Sequence, residues 1–131
     1  MKKPHLIKIE KFTKRSGSLI PIRLYKINKK KIKEIFFIHG KPGKTRGNHA
    51  HKKCTQILFA VKGKIIVDTF YKKEKKIFSL TQKKCQALIL PPKVWTVVKF
   101  SRKNSILLVL WDRKLEKEDY ISNFEKFKKI K

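Results

Sequence analysis

Gly43-Lys44-Thr45-Arg46-Gly47-Asn48-His49-Ala50-His51-Lys52-Lys53-Cys54-Thr55-Gln56, running on through Ile57-Leu58-Phe59-Ala60-Val61-Lys62 to Gly63, is the most informative stretch of the chain. Successive side chains on a strand point to opposite faces, so His49 and His51, two residues apart, share one face and can converge on one pocket. Arg46 lies just upstream, between Gly43 and Gly47. Two imidazoles beside a guanidinium have the parts for proton transfer on an anionic substrate. Two histidines that merely decorate a strand are the plain alternative.

Outward from this stretch, most segments read as short strands. Leu6–Ile9, Leu19–Ile27 and Ile32–Ile38 are rich in β-branched and aromatic residues and are bounded by Gly, Pro, Asn or Lys clusters. Gln56–Val61, Lys64–Tyr71, Lys75–Leu80, Ala87–Leu90, Trp95–Phe100 and Ser105–Trp111 follow in the same style. A hairpin is expected at Tyr71-Lys72-Lys73-Glu74, although lysines are poor turn residues. Ile106-Leu107-Leu108-Val109-Leu110 is an unbroken apolar run, as in a strand buried on both faces.

Only the C-terminal part looks helical. Leu115, Tyr120, Ile121, Phe124, Phe127 and Ile130 recur at mixed spacing, with acids early (Glu116, Glu118, Asp119) and lysines late (Lys126, Lys128, Lys129). The pattern predicts a helix over 115–130 behind an all-β body of about 5–112. Many short strands with regular turn signals point to a sandwich or barrel.

With 131 residues the chain is expected to form a single domain, 1–131, with a core that needs no metal or disulfide. An aromatic share of 11% argues against disorder. No apolar run approaches the roughly 20 residues of a membrane span, and the start lacks a secretory apolar core, so a cytoplasmic location off the membrane is expected. Cys54 and Cys85 have no zinc-type spacing and read as reduced thiols. The net charge of +27 comes almost wholly from lysine, 31 Lys against 5 Arg, scattered along the chain. Base readout and phosphate clamping favour Arg, so a lysine-coated surface that attracts anions is the better reading than specific nucleic-acid binding.

The spacing of Gly43, His49, His51, Gln56 and Gly63 resembles the first motif of the cupins, with Gln56 where the family carries Glu. The second motif survives in outline near Cys85–Phe100: its proline matches Pro91, but its metal-binding histidine falls on Thr96. An amide and a hydroxyl are poor replacements for a carboxylate and an imidazole, so no metal is expected. A narrower resemblance covers nearly the whole chain. It is carried by Arg15-Ser16-Gly17-Ser18-Leu19, Lys41-Pro42-Gly43, Arg46-Gly47-Asn48-His49-Ala50-His51-Lys52, Gln56-Ile57-Leu58, Pro91-Pro92-Lys93-Val94-Trp95, Leu107–Leu110 and Asp119-Tyr120-Ile121. Together these look like the sugar 3,4-ketoisomerases (WxcM-like, FdtA-like) that act on dTDP-4-keto-6-deoxyglucose.

That resemblance implies an all-β cupin jelly roll (double-stranded β-helix) with one C-terminal helix, forming a homodimer and using no cofactor. The activity it implies moves a ketone from C4 to C3 of a dTDP-linked 4-keto-6-deoxyhexose through an enediol, on the way to 3-amino-3,6-dideoxy sugars of bacterial surface glycans. His51 is then the base at C3 and His49 its partner, a general acid or proton shuttle, with the order of the two left open. Arg46 is expected at the diphosphate or the enolate oxygen, Gln56 on a histidine or a sugar hydroxyl, Trp95 at the pocket wall and Arg15 near the pocket. The family pattern has tyrosines where Phe36 and Phe37 stand and can have a histidine where Thr96 stands, which leaves open the product's C4 configuration. The alternative function is a non-catalytic nucleotide-sugar-binding cupin.

Overall fold

The structure, a computed structural model, describes residues 3–27 and 31–130. In chain order the elements are β1 (His5–Lys8), β2 (Phe12–Lys14), β3 (Gly17–Leu19), α1 (Leu24–Ile27), β4 (Glu34–Gly40), β5 (Thr45–His51) and β6 (Gln56–Lys62). They continue with β7 (Lys64–Tyr71), β8 (Glu74–Thr81), β9 (Gln86–Leu90), β10 (Trp95–Phe100), β11 (Ser105–Trp111), a 3-10 turn at Lys117–Asp119, β12 (Tyr120–Ile121) and α2 (Phe124–Lys128). Two five-stranded antiparallel sheets, ordered β1-β9-β6-β11-β4 and β12-β5-β10-β7-β8, face one another as a cupin-like jelly roll.

Period-two alternation sorts the apolar residues. On β6, Leu58 and Ala60 join the core between the sheets, while Ile57 and Phe59 pack on the outer face of the first sheet. The run on β11 divides the same way: Leu107 and Val109 face inward, Leu108 and Leu110 outward. Such a strand must be apolar on both faces because both are covered.

The cover of the first sheet corrects one expectation. Leu19–Ile27 is not one strand; β3 ends at Leu19 and the chain then crosses the sheet as an irregular strap ending in α1. Pro21 has no N–H to give a ladder. Ile20, Ile22 and Leu24 pack on the same cluster at alternate positions, and Ile27 joins them three residues on because α1 turns it back to that side, which a continuous strand would not.

The helix expected over 115–130 shrinks to the five residues of α2. Asn123 caps it, its side chain accepting from the Lys126 N–H at 3.0 Å, so the helix can begin only there. The residues before it are used differently: Tyr120 and Ile121 pair with His51 and Ala50 on β5. Phe127 then buries itself with Trp95, Ala50 and Ile121 on the outer face of the second sheet.

The β7–β8 hairpin forms where it was expected. Tyr71 pairs with Glu74, and Lys72 and Lys73 both take left-handed φ values of 47° and 66°, as a two-residue type I′ turn requires. Cys54 and Cys85 are buried and free. Among the described residues, no helix is long and apolar enough to cross a membrane.

Candidate active site

A cavity of about 340 Å³ opens between the sheets, walled by β4, β5, β6, β10 and β11 and by Leu115 and Tyr120. Arg46 and His49 both line it, although three residues apart on a regular strand they would face opposite ways. A bulge in β5 resolves this. Thr96 pairs with His49 but Val97 pairs with Gly47, so Asn48 is an extra residue with φ 58°. The skipped residue rephases the strand and turns Arg46 to the face that carries the imidazoles. Gly47 is obligatory there: its φ is 94°, and a Cβ would lie 2.7 Å from the Thr96 carbonyl oxygen.

His49 stands in the cavity wall, and its Nδ1 donates to the Gly47 carbonyl at 3.1 Å. His51 lies beside it, 5.0 Å between ring centroids, and is only 3% exposed. Its Nδ1 donates to Asp119 Oδ2 at 2.9 Å. Because a carbonyl and a carboxylate can only accept, both rings carry their proton on Nδ1 and a lone pair on Nε2 when neutral. His51 Nε2 is buried and has no hydrogen-bond partner. Burial is the main force pushing both imidazoles below the ordinary histidine pKa; at His49 the neighbouring His51 adds to it, and at His51 the Asp119 and Asp112 carboxylates oppose it. Neutral bases at neutral pH follow.

Several side chains that the sequence reading did not single out complete the site. Tyr120 lines the cavity and touches both imidazoles, 4.8 Å from the ring of His49 and 4.7 Å from that of His51. Burial, reinforced by Cys54 and Asp119, raises its phenol pKa. Trp111 packs on His51 at 4.9 Å and donates from Nε1 to Gln56 Oε1 at 2.9 Å. The indole can only donate, so the Gln56 amide is fixed with its oxygen on Trp111. The Cys54 thiol is pushed up to about 12, chiefly by burial, and stays protonated. Asp119 and Tyr120 had a trace in the sequence, the Asp119-Tyr120-Ile121 piece, masked by its reading as a helix start.

The other expected residues divide. Gln56 is in the wall. Trp95 is not: it faces the opposite side of the sheet from Thr96 and packs against Phe124 and Phe127 at 5.1 and 5.6 Å. Arg15 is exposed at the tip of the β2–β3 hairpin, all of whose strand residues are exposed, and does not line this chain's cavity. Of the positions that depart from the family pattern, Phe36 lines the cavity and stands edge-on to Trp111 at 5.0 Å, whereas Phe37 points outward, 59% exposed. Thr96 is in the wall, its hydroxyl donating to the Val94 carbonyl at 3.4 Å.

These donors do not suit a cupin metal. At the positions of two cupin ligands stand the Gln56 amide, whose oxygen accepts from Trp111, and the Thr96 hydroxyl, which donates to the Val94 carbonyl, and each histidine offers only Nε2. An amide and a hydroxyl are weaker ligands than the carboxylate and imidazole whose positions they hold.

The chain matches the FdtA family (WxcM-like, C-terminal) over residues 2–131. It belongs to that family. A relative of this FdtA-family chain is the TDP-4-oxo-6-deoxy-α-D-glucose-3,4-oxoisomerase of Aneurinibacillus thermoaerophilus, 29% identical over 95% of this chain and 89% of that protein. Among solved structures it resembles QdtA, a sugar 3,4-ketoisomerase from Thermoanaerobacterium thermosaccharolyticum, in complex with TDP (28% identity, TM-score 0.89, 96% of this chain and 92% of that one). A histidine-to-asparagine variant of QdtA, in complex with TDP-4-keto-6-deoxyglucose, is equally similar (27% identity, TM-score 0.89, 98% and 93% covered).

Proposed function

We propose that this FdtA-family protein is a sugar 3,4-ketoisomerase that converts dTDP-4-keto-6-deoxyglucose to a dTDP-3-keto-6-deoxyhexose. The observation that carries the reading is the pair of adjacent imidazoles, both protonated on Nδ1 and both offering a lone pair at Nε2, beside a cavity that also holds Arg46. A binding protein has no use for two such bases.

His51, whose Nε2 has no protein partner, removes the C3 proton. Tyr120 lines the cavity in ring contact with both imidazoles. The electrons of the C3–H bond form C3=C4, and the C4 carbonyl oxygen becomes an enolate. His49 accepts the proton of the C3 hydroxyl at Nε2 and returns it to that oxygen, while the C3 oxygen becomes the new carbonyl. His51 delivers its proton to C4. Every proton is returned, so no cofactor or metal is required. Arg46 offsets the enolate charge or binds the diphosphate. Gln56 fixes Trp111 against His51.

The protein is also read as a homodimer. Among the described residues the hairpin Phe12–Leu19 pairs only with itself, and it exposes Phe12 by 49% and Leu19 by 62%. Seated on a second copy, it would carry Arg15 toward that copy's site. Light scattering tests this, and a monomer at working concentration refutes it. Two free thiols suit the cytoplasm, and a 3-keto product suits a following amino transfer toward surface-glycan sugars.

The decisive assay is proton NMR of dTDP-4-keto-6-deoxyglucose with the enzyme in deuterated buffer containing chelator. Loss of the C3 proton signal with appearance of a 3-keto product is expected. Binding with no exchange at C3 or C4 would reject catalysis in favour of a nucleotide-sugar binder.

A further inference from the structure

We propose that Asp119 is a positioning residue that sets the tautomer of His51, and that the backbone N–H of Lys53 is the clamp that lets it do so. The inference rests on His51 being the base. Asp119 spends its two carboxylate oxygens on different donors: Oδ2 accepts from His51 Nδ1 at 2.9 Å and Oδ1 from the Lys53 N–H at 2.7 Å. Its backbone is tied as well. The Asp119 carbonyl accepts from the Lys52 N–H at 2.8 Å, the Asp119 N–H donates to Glu116 O at 3.0 Å, and the next residue, Tyr120, is in register with His51. The carboxylate is held at both ends, buried, and 68 residues away in sequence from the ring that it orients.

A carboxylate has two acceptors and satisfies both donors at once. An asparagine has one acceptor and one donor. The Lys53 N–H cannot become an acceptor, so an asparagine at 119 places its oxygen on Lys53 and its NH2 against His51 Nδ1. That nitrogen must then carry the lone pair, and the ring proton moves to Nε2, the atom that has to be free to take a proton from carbon. A near-isosteric change thus disarms the base without disturbing the packing.

The expected result is a ranking that a purely structural role cannot give. Asp119→Asn should lower kcat by about 10³–10⁴-fold with KM within about threefold, by analogy with a triad whose histidine is held in the wrong tautomer. Asp119→Ala, which packs worse but leaves the ring free to choose its tautomer, should lose less kcat than Asp119→Asn while losing more thermal stability. Nitrogen-15 NMR of the imidazoles reads the tautomer directly and needs no turnover. His51 in the unaltered protein should show a protonated Nδ1 and an unprotonated Nε2, and Asp119→Asn should exchange the two. A protonated Nε2 in the unaltered protein, an unchanged tautomer in Asp119→Asn, or Ala more damaging to kcat than Asn would each overturn the proposal. If Asp119→Asn does not fold, the unaltered protein's tautomer and the Ala variant still decide it. An unaltered protein that is inactive on the keto sugar yet shows the expected tautomers would sink the isomerase reading and not the Asp119 clamp.

Discussion

The two faces of β5 and β10 make a useful contrast. Toward the cavity they present His49, Arg46 and Thr96, with His51 buried directly beside His49; toward α2 they present Ala50 and Trp95. The residues alternate along the same few positions: Ala50 lies between His49 and His51, and Trp95 and Val97 flank Thr96. The cavity face holds polar atoms in fixed directions and leaves one of them, His51 Nε2, without a partner. On the α2 side the aromatic rings of Trp95, Phe70, Phe124 and Phe127 interlock at 5.1 to 6.2 Å. A strand can serve chemistry on one side because its other side is anchored.

That contrast predicts separable losses. The largest falls on the cavity face. His51→Asn should lower kcat by about 10³-fold, within the usual contribution of a general base, while nucleotide-sugar affinity and melting temperature change little. Stopped-flow or NMR turnover together with calorimetric binding checks this; comparable losses of kcat and stability would erase the distinction between the faces. On the other side, Trp95→Ala should cost about 3–5 kcal/mol of unfolding free energy, as large-to-small core changes do. Its KM should stay within twofold at temperatures where the variant is folded. A large KM increase in a folded Trp95→Ala protein would return that indole to the substrate.

Gly47 sits where the faces are rephased, so Gly47→Ala should act on both. The strained backbone and the clash with the Thr96 carbonyl should cost about 1–3 kcal/mol. KM should rise as Arg46 leaves its orientation. Chemical denaturation and steady-state kinetics on one preparation would show both changes, and a KM left untouched would mean that the bulge does not aim Arg46.

The smallest effect is on pH dependence. Both histidines are held below the ordinary value of 6.5, so the acid limb of kcat should fall below pH 6.5, where the lone pairs are finally lost. The same shifts fix the sign for stability: the unfolded chain binds protons more readily than the folded one. This contribution is complete above pH 6.5 and is lost as pH falls from there through the folded pKa values. The α2-side cluster of Ala50, Trp95, Ile121 and Phe127 has no titratable group, so Trp95→Ala should leave the profile unmoved. A pH–rate series on both proteins would check this.

The contrast also explains what could be read in the chain. His49, His51, Arg46 and Gln56 were legible because the motif's spacing survives in one continuous stretch, and three of the four line the cavity with His51 directly beside it. The strands of the core were legible through their apolar alternation. Trp95 was misplaced because nearness to a motif says nothing about parity, and one step along a strand reverses the side. The reading over 115–130 failed for a different reason. Apolar residues at three- and four-residue spacing look helical, but the open edge of β5 claims Tyr120 and Ile121, and a two-residue strand is too short to show a period. Asp119 was hidden with them. Its role depends on a loop amide 66 residues upstream, which no local pattern records.

The lateness of β12 in the chain has a consequence for how the protein becomes active during synthesis. A growing polypeptide that has reached Trp111 already contains every strand of the core between the sheets, yet its base lacks the carboxylate that aims it. The ribosome adds roughly 5–20 residues per second, so the core can close before residue 119 is available to dock. Folding and competence are then separate events on the nascent chain, and the second waits for a strand two residues long.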